Sequence, residues 1–173
     1  MRRNGSGSRP GRCNSLYAQA ASFLPTRELN RSYRAGGEDL SELVNERFYG
    51  GRLETMPWAG AFLGHSSLTY SYVEGGTGMP DPATGTVEST DAEVTRVVEF
   101  VVDHALRRPR ESLMVVTASA IHARRVEQAV WSAVSQRPEI EAAFTMRRLE
   151  PFLVTTIEGS AAQSRDRVVF SLG

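Results

Sequence analysis

The sequence predicts an α/β fold, with helices flanking a largely parallel sheet. Three observations lead there. Short continuous apolar runs, LMVVT at 113–117 and FLVTTI at 152–157, read as strands buried on both faces. Between and before them lie segments with helical period, at 90–107 and 120–135. Strands that alternate with helices make βαβ units, whose crossovers run right-handed.

The elements follow in chain order. Residues 1–14 are rich in Arg, Gly, Ser and Asn and read as a disordered basic tail, with Arg2, Arg3, Arg9 and Arg12. SLYAQAASFL, residues 15–24, has helical spacing and stops at Pro25. Residues 27–32 read as a strand ending before Tyr33-Arg34. After Gly36-Gly37 comes a helix of about three turns. Its apolar stripe is Leu40, Leu43, Val44 and Phe48, and Gly50-Gly51 ends it. Leu68–Val73, LTYSYV, alternates like a strand, and the glycine-rich run that follows reads as a connector. Thr90 and Glu93 form a capping box for the next helix, which presents Val94, Val97, Val98, Val101, Val102 and Leu106. The 120–135 helix turns Ile121, Val126, Val130 and Val134 inward, and Pro138 breaks the chain. Arg167–Leu172, RVVFSL, is a last strand with no covering helix after it. A parallel strand is normally covered on both faces, so the chain reads as cut short at its carboxyl end.

Composition narrows the function classes. The length of 173 residues suits one domain with a real core. A net charge of zero gives no global attraction to nucleic acid, which leaves only local patches to provide one. Cys13 is the single cysteine, so an internal disulfide and a cysteine metal cage are excluded. No run approaches the roughly 20 apolar residues that span a bilayer, and the start has no apolar segment of a secretory signal. A cytoplasmic protein without membrane contact is the expectation. All 20 basic residues are arginine. A Walker A loop needs a lysine on the phosphates, so this chain is not a self-sufficient P-loop ATPase.

In open α/β sheets ligands bind beyond the carboxyl ends of the strands, and Arg34 stands at such an end. The surrounding residues Leu29, Tyr33, Arg34, Asn45, Phe48, Tyr49, Gly51, Leu53 and Pro57 carry a spaced pattern over about thirty positions. This pattern resembles the segment that opens the second RecA-like domain of superfamily 1 helicases of the Upf and Dna type. The resemblance implies a RecA-like parallel sheet over 15–173, truncated at the carboxyl end. It implies that Arg34, beside Tyr33, reaches the γ-phosphate of ATP held with Mg²⁺ on a first domain. An arginine suits that task because its planar fork donates two parallel hydrogen bonds and stays charged.

The second half continues the resemblance. LMVVTASAIHARRVEQAV is similar to the family's strand and helix near the nucleic-acid path, with Thr117 in place and His122 near a usual glutamine. From the residues alone, His122 is a polar residue in a helix's first turn. PFLVTTIEGSAAQSRDRVVFSLG resembles helicase motif V and its following strand, with Thr156, Glu158, Arg165, Asp166, Val168, Val169 and Ser171 in place. Ala161-Ala162 stands where the family has Gln-Gly, and Gln163 follows. Alanine enters the φ > 0 region less cheaply than glycine, which weighs against the family's nucleotide contact at this loop. Arg165-Asp166 also reads as a pair that fixes the loop by ion pairing. Arg124-Arg125 and Arg147-Arg148 read first as solvated charges and second as phosphate contacts.

The resemblance thus implies the carboxyl-terminal motor half of an ATP-dependent helicase. Its partners would be single-stranded DNA or RNA and an amino-terminal RecA-like domain. Tyr33, Arg34, Glu158 and Arg165 would face nucleotide, and Thr117, His122, Thr156 and Gln163 nucleic acid. The first domain and the motif VI arginine would lie outside this sequence. Alone, the chain is expected not to hydrolyse ATP. The alternative is a non-catalytic nucleic-acid or partner-binding module with the same fold.

Overall fold

The computed structural model describes residues 16–32, 37–55, 66–80, 82, 83, 85, 87–146 and 148–173. Packing divides the chain into two compact units, Met1–Tyr70 and Ser71–Gly173. Both are mixed α/β, with small parallel sheets and flanking helices. The basic tail, Cys13, Tyr33, Arg34, Pro57, His65 and Arg147 lie outside the described residues.

In the first unit, helix α1 (Leu16–Ala21) is shorter than the spacing predicts. The predicted strand over 27–32 shrinks to β1 (Arg31–Ser32), which pairs in parallel with β2 (Glu54–Thr55). Between them α2 (Glu38–Val44) runs on into a π-helical turn, Asn45–Tyr49. Gly50 and Gly51 then take φ of 60° and 74°, the left-handed region that lets a helix stop at low cost. Asn45 clamps that stop, its amide donating to the Leu53 carbonyl at 2.9 Å and accepting from the Leu53 N–H at 2.8 Å. Asp39 in the first turn of α2 accepts from the hydroxyls of Ser66 and Ser67 and from the N–H of Ser67 and Leu68. Those bonds hold its carboxyl well below the usual range. Of the stripe predicted to pack, only Val44 is even half-buried. Leu40, Leu43 and Phe48 are exposed, and no described hydrophobic side chain of this unit is buried.

The predicted strand over 68–73 does not form. Tyr70 and Tyr72 stay exposed, and the Leu68 N–H is spent on Asp39 rather than on a ladder. In the second unit, β3 (Gly78–Pro80), inside the stretch read as a connector, pairs antiparallel with β4 (Val87–Thr90), which follows that stretch. Helix α3 (Asp91–Arg107) starts where the capping signal places it, and Thr90 Oγ1 accepts from the Glu93 N–H at 3.3 Å. The capping box is only half made, because the Glu93 carboxylate turns away to other donors.

Strand β5 (Leu113–Thr117) is buried along its whole length. It leads through the Ser119 cap into α4 (Ala120–Ser135). Pro138 begins a helix instead of ending one. It occupies the first turn of α5 (Pro138–Thr145), where a missing N–H costs nothing. Strands β6 (Leu153–Thr156) and β7 (Arg167–Ser171) pair in parallel with opposite edges of β5, giving the order β6-β5-β7.

One core joins these elements. Helix α3 supplies Val94, Val97, Val101 and Ala105, α4 supplies Val126, Val130 and Val134, α5 supplies Ile140, and β5 supplies Leu113 and Val115. Trp131, Phe144 and Phe152 extend it edge-to-face, with centroids 6.2 and 5.1 Å apart. Val169 of β7 packs on this core, whereas its neighbours Val168 and Phe170 on the opposite face are 54% and 55% exposed. The last strand is therefore covered by helices on one face only.

Candidate functional site

Strand β5 is followed in sequence by the strand on one side of it and then by the strand on the other. The connections reverse direction between β5 and β7, and a crevice at such a reversal is where open α/β sheets hold ligands. Here the backbone stitches the strand ends together. The Ala118 N–H donates to the Ser171 carbonyl and the Ile157 N–H to the Thr117 carbonyl, each at 3.2 Å. Thr117 is fully buried, and its hydroxyl donates to the Ser119 carbonyl at 2.8 Å.

His122 lies beneath this edge with no exposed surface. Its Nδ1 is 2.7 Å from Ser89 Oγ on β4, and its Nε2 is 2.7 Å from Ser171 Oγ on β7. The Ser171 hydroxyl donates to Glu93 Oε1 at 2.6 Å, and the Gly173 N–H donates to Glu93 Oε2 at 3.1 Å. Arg125 Nη1 donates to Ser89 Oγ at 3.0 Å and to the Ser89 carbonyl at 2.5 Å, while Nη2 pairs with Asp91. Burial pushes the His122 pKa down; Glu93 at 4.0 Å opposes this, Arg125 reinforces it, and the net direction is downward. Burial pushes Glu93 up, but the bonds from Ser171 and the Gly173 backbone outweigh it and hold the carboxyl below its ordinary value.

The loop from β6 to β7 carries the other sequence-predicted residues. A 3₁₀ turn, Glu158–Ser160, opens it, and the Gly159 N–H donates to Thr156 Oγ1 at 3.4 Å. A Cβ at Gly159 would collide with Thr155 Oγ1, so a larger residue there would force that side chain to shift. Glu158 and Gln163 are exposed and Thr156 half-buried. Ala162 takes φ 61°, the one left-handed non-glycine among the described residues. It stands where the resembled motif has glycine.

Arg165 and Asp166 do not pair with each other. Arg165 donates from Nε to the Pro151 carbonyl at 2.9 Å and from Nη1 to the Ser164 carbonyl at 2.6 Å. Asp166 accepts from the Ser112 N–H at 2.7 Å, its own N–H donates back to Ser112 Oγ at 2.9 Å, and the one Ser112 hydroxyl proton is shared between Glu150 Oε2 at 2.6 Å and Asp166 Oδ2 at 3.0 Å. The Ser112 backbone and hydroxyl bonds hold the Asp166 carboxyl below its usual range. Arg124 is exposed, while Arg148 Nη2 reaches the Pro109 carbonyl at 2.5 Å.

The fold thus gathers Thr117, His122 and Ser171 at one strand edge and leaves Glu158 and Gln163 on the loop beside it. His122 is more than a polar residue in a first helical turn. It joins β4, α3, α4 and β7, and in this conformation neither its ring nor the Thr117 side chain presents a surface to nucleic acid. Sequence reasoning missed Ser89, the partner on Nδ1. No local pattern marks a serine in a short hairpin strand 33 residues from its histidine. Glu93 was visible only as a cap.

Among the described residues no group of three or more His, Cys, Asp or Glu is placed to hold a metal ion. With no lysine in the chain, these residues do not fit as the holder of a Mg²⁺–nucleotide complex. No described helix is long and apolar enough to cross a membrane. Compared with protein-family models, curated proteins and solved structures, the chain matches none.

Proposed function

We propose that the chain is the second RecA-like motor half of a superfamily 1 helicase, acting on single-stranded DNA or RNA with a first domain that holds ATP and Mg²⁺. The observation that carries this reading is Ala162. Its left-handed backbone keeps a turn that the resembled motif builds with glycine, on the loop after a parallel strand. An L-residue holds φ > 0 at a cost, and such strain concentrates at functional turns. The strand reversal at β5 and β7 supports the reading at the level of fold class.

In this reading the chain supplies arginine to a phosphate bound elsewhere. Arg34 is the candidate, and catalysis is positioning and charge stabilisation. Glu158, Gln163 and Arg165 lie on the loop that would face the nucleotide and the strand path. The Thr117 carbonyl accepts from the Ile157 N–H where that loop begins, and Thr156 anchors its first turn.

A second reading, a non-catalytic nucleic-acid or partner-binding module, is favoured by the closed hydrogen bonding at the strand edge. Among the described residues every buried side-chain polar atom already has a partner. One titration separates the two. The full chain is mixed with a first-domain protein carrying an intact Walker A loop, with and without an ATP analogue. The motor reading expects the analogue to tighten the pair at least about tenfold, and Arg34→Ala to remove that gain. Pairing in neither state rejects the motor. Nucleotide-independent binding of labelled single strands, weakening as salt rises, then identifies the module.

A further inference from the structure

The hydrogen bonds around His122 have a direction that atom types alone dictate. The Glu93 carboxylate accepts only, so the Ser171 hydroxyl proton points at it. Ser171 Oγ then accepts from His122, which puts the ring proton on Nε2. Nδ1 is therefore bare and accepts the Ser89 hydroxyl proton. Ser89 Oγ in turn accepts from Arg125 Nη1. A single polarised chain runs from the Arg125 cation through Ser89, His122 and Ser171 to the Glu93 anion. Each link has one workable proton position.

We propose that this chain is an acid-sensitive latch, in which neutral His122 ties β4, α3, α4 and β7 together and protonation of Nδ1 releases them. The added proton would face Ser89 Oγ, whose own proton already points at Nδ1. The serine would have to turn that proton away, while Arg125 donates to the same oxygen. Ser89 and His122 have no exposed surface, so water does not rescue either group in the closed state. Two cations would also confront each other across one hydroxyl.

The charged groups facing His122 from each packed element decide the balance. From α3, Glu93 lies 4.0 Å from Nε2 and partly offsets a positive ring. Asp91, also on α3, is engaged by Arg125. From α4 itself comes Arg125. Strands β4 and β7 offer the neutral hydroxyls of Ser89 and Ser171, and Gly173 stands close enough that a Cβ there would come 3.4 Å from the ring's Cγ. Burial and Arg125 together outweigh Glu93. The folded state therefore binds this proton more weakly than the unfolded chain. Stability is full above the ordinary histidine value of about 6.5 and is lost as pH falls from there through the lower folded value.

Two measurements on the full chain test the latch. Long-range ¹H–¹⁵N NMR, with the His122 signals assigned by their loss in His122→Gln, reports tautomer and titration. The expected result is an Nε2–H ring that does not titrate near pH 6.5 while the fold persists. An Nδ1–H ring, or ordinary titration at about 6.5 in the folded protein, overturns the proposal. Urea unfolding from about pH 8 to about pH 5 compares wild type with His122→Gln. The wild-type folding constant should fall relative to the variant by up to about tenfold per pH unit below 6.5, the limit for one proton. Parallel curves reject the latch. If that variant does not fold, His65→Gln and His104→Gln assign the other two rings, and the wild-type NMR titration of the remaining signals decides.

Discussion

Ala162 holds a backbone that glycine holds more cheaply, with φ 61° in a loop whose other residues are free of that strain. An L-side chain in the left-handed region costs about 1–2 kcal/mol, part of which glycine returns as lost chain entropy. Ala162→Gly should therefore stabilise the protein by about 1 kcal/mol, seen as a higher urea midpoint at unchanged slope. A lower midpoint would mean that the alanine is unstrained. Thr90 gives a second test at this scale. Its hydroxyl satisfies the Glu93 N–H at the start of α3, while Glu93 itself serves Ser171. Thr90→Ala should lower stability by about 1 kcal/mol, within the usual range for a lost cap. The cap was legible in the sequence because its two residues stand three apart. The His122 junction was not, because its serines lie 33 and 49 residues away and no periodicity reaches that far.

The helices and strands of the second unit were legible where their signal was local and repeated. Val94, Val97 and Val101 on α3, and Val126, Val130 and Val134 on α4, fall on the faces that the spacing predicts, and all are buried. Val126 has no exposed surface, so Val126→Ala leaves a cavity and should lower stability by about 2–3 kcal/mol in urea unfolding. Two elements escaped for opposite reasons. Pro138 looked like a stop although proline fits a helix's first turn as well as its end. The β3–β4 hairpin is held by pairing that glycine-rich sequence does not announce. Conversely, alternation over 68–73 suggested a strand, but alternation supplies no partner, and Asp39 claims the Leu68 N–H. Asp166 links β5 to β7 through Ser112, and those bonds lower its pKa. Its contribution is thus present above the ordinary carboxylate range and is lost as pH falls through the lower folded value. Asp166→Asn should weaken the acid-side dependence of stability below about pH 4, measured as the slope of unfolding free energy against pH. An unchanged slope would show that this carboxylate does not tie the strands.

At the scale of the molecule, the buried apolar packing of the described residues is distributed unevenly. Every described buried hydrophobic side chain, from Val94 to Ile140, belongs to Ser71–Gly173. The described part of the first unit holds itself by polar clamps, at Asp39 and Asn45, and by exposed ion pairs such as Arg31–Glu54 and Arg52–Glu28. Exposed pairs contribute at most about 1 kcal/mol each and weaken with salt. Local opening should therefore cost far less in the described part of the first unit than in the valine core of the second. Hydrogen exchange followed by mass spectrometry should show α2 and its π-helical turn exchanging well before β5, α3 and α4. Added salt should widen that gap by screening the exposed ion pairs while leaving the valine core untouched. Trypsin offers a parallel readout, since exposed Arg31, Arg47 and Arg52 should be cut ahead of Arg125, which is held by Ser89 and Asp91. Equal protection of α2 and β5 would mean that the first unit owes its order to something beyond its own side chains. An ATP-bound first domain is the partner that the motor reading would supply, and it should then slow exchange in α2 selectively.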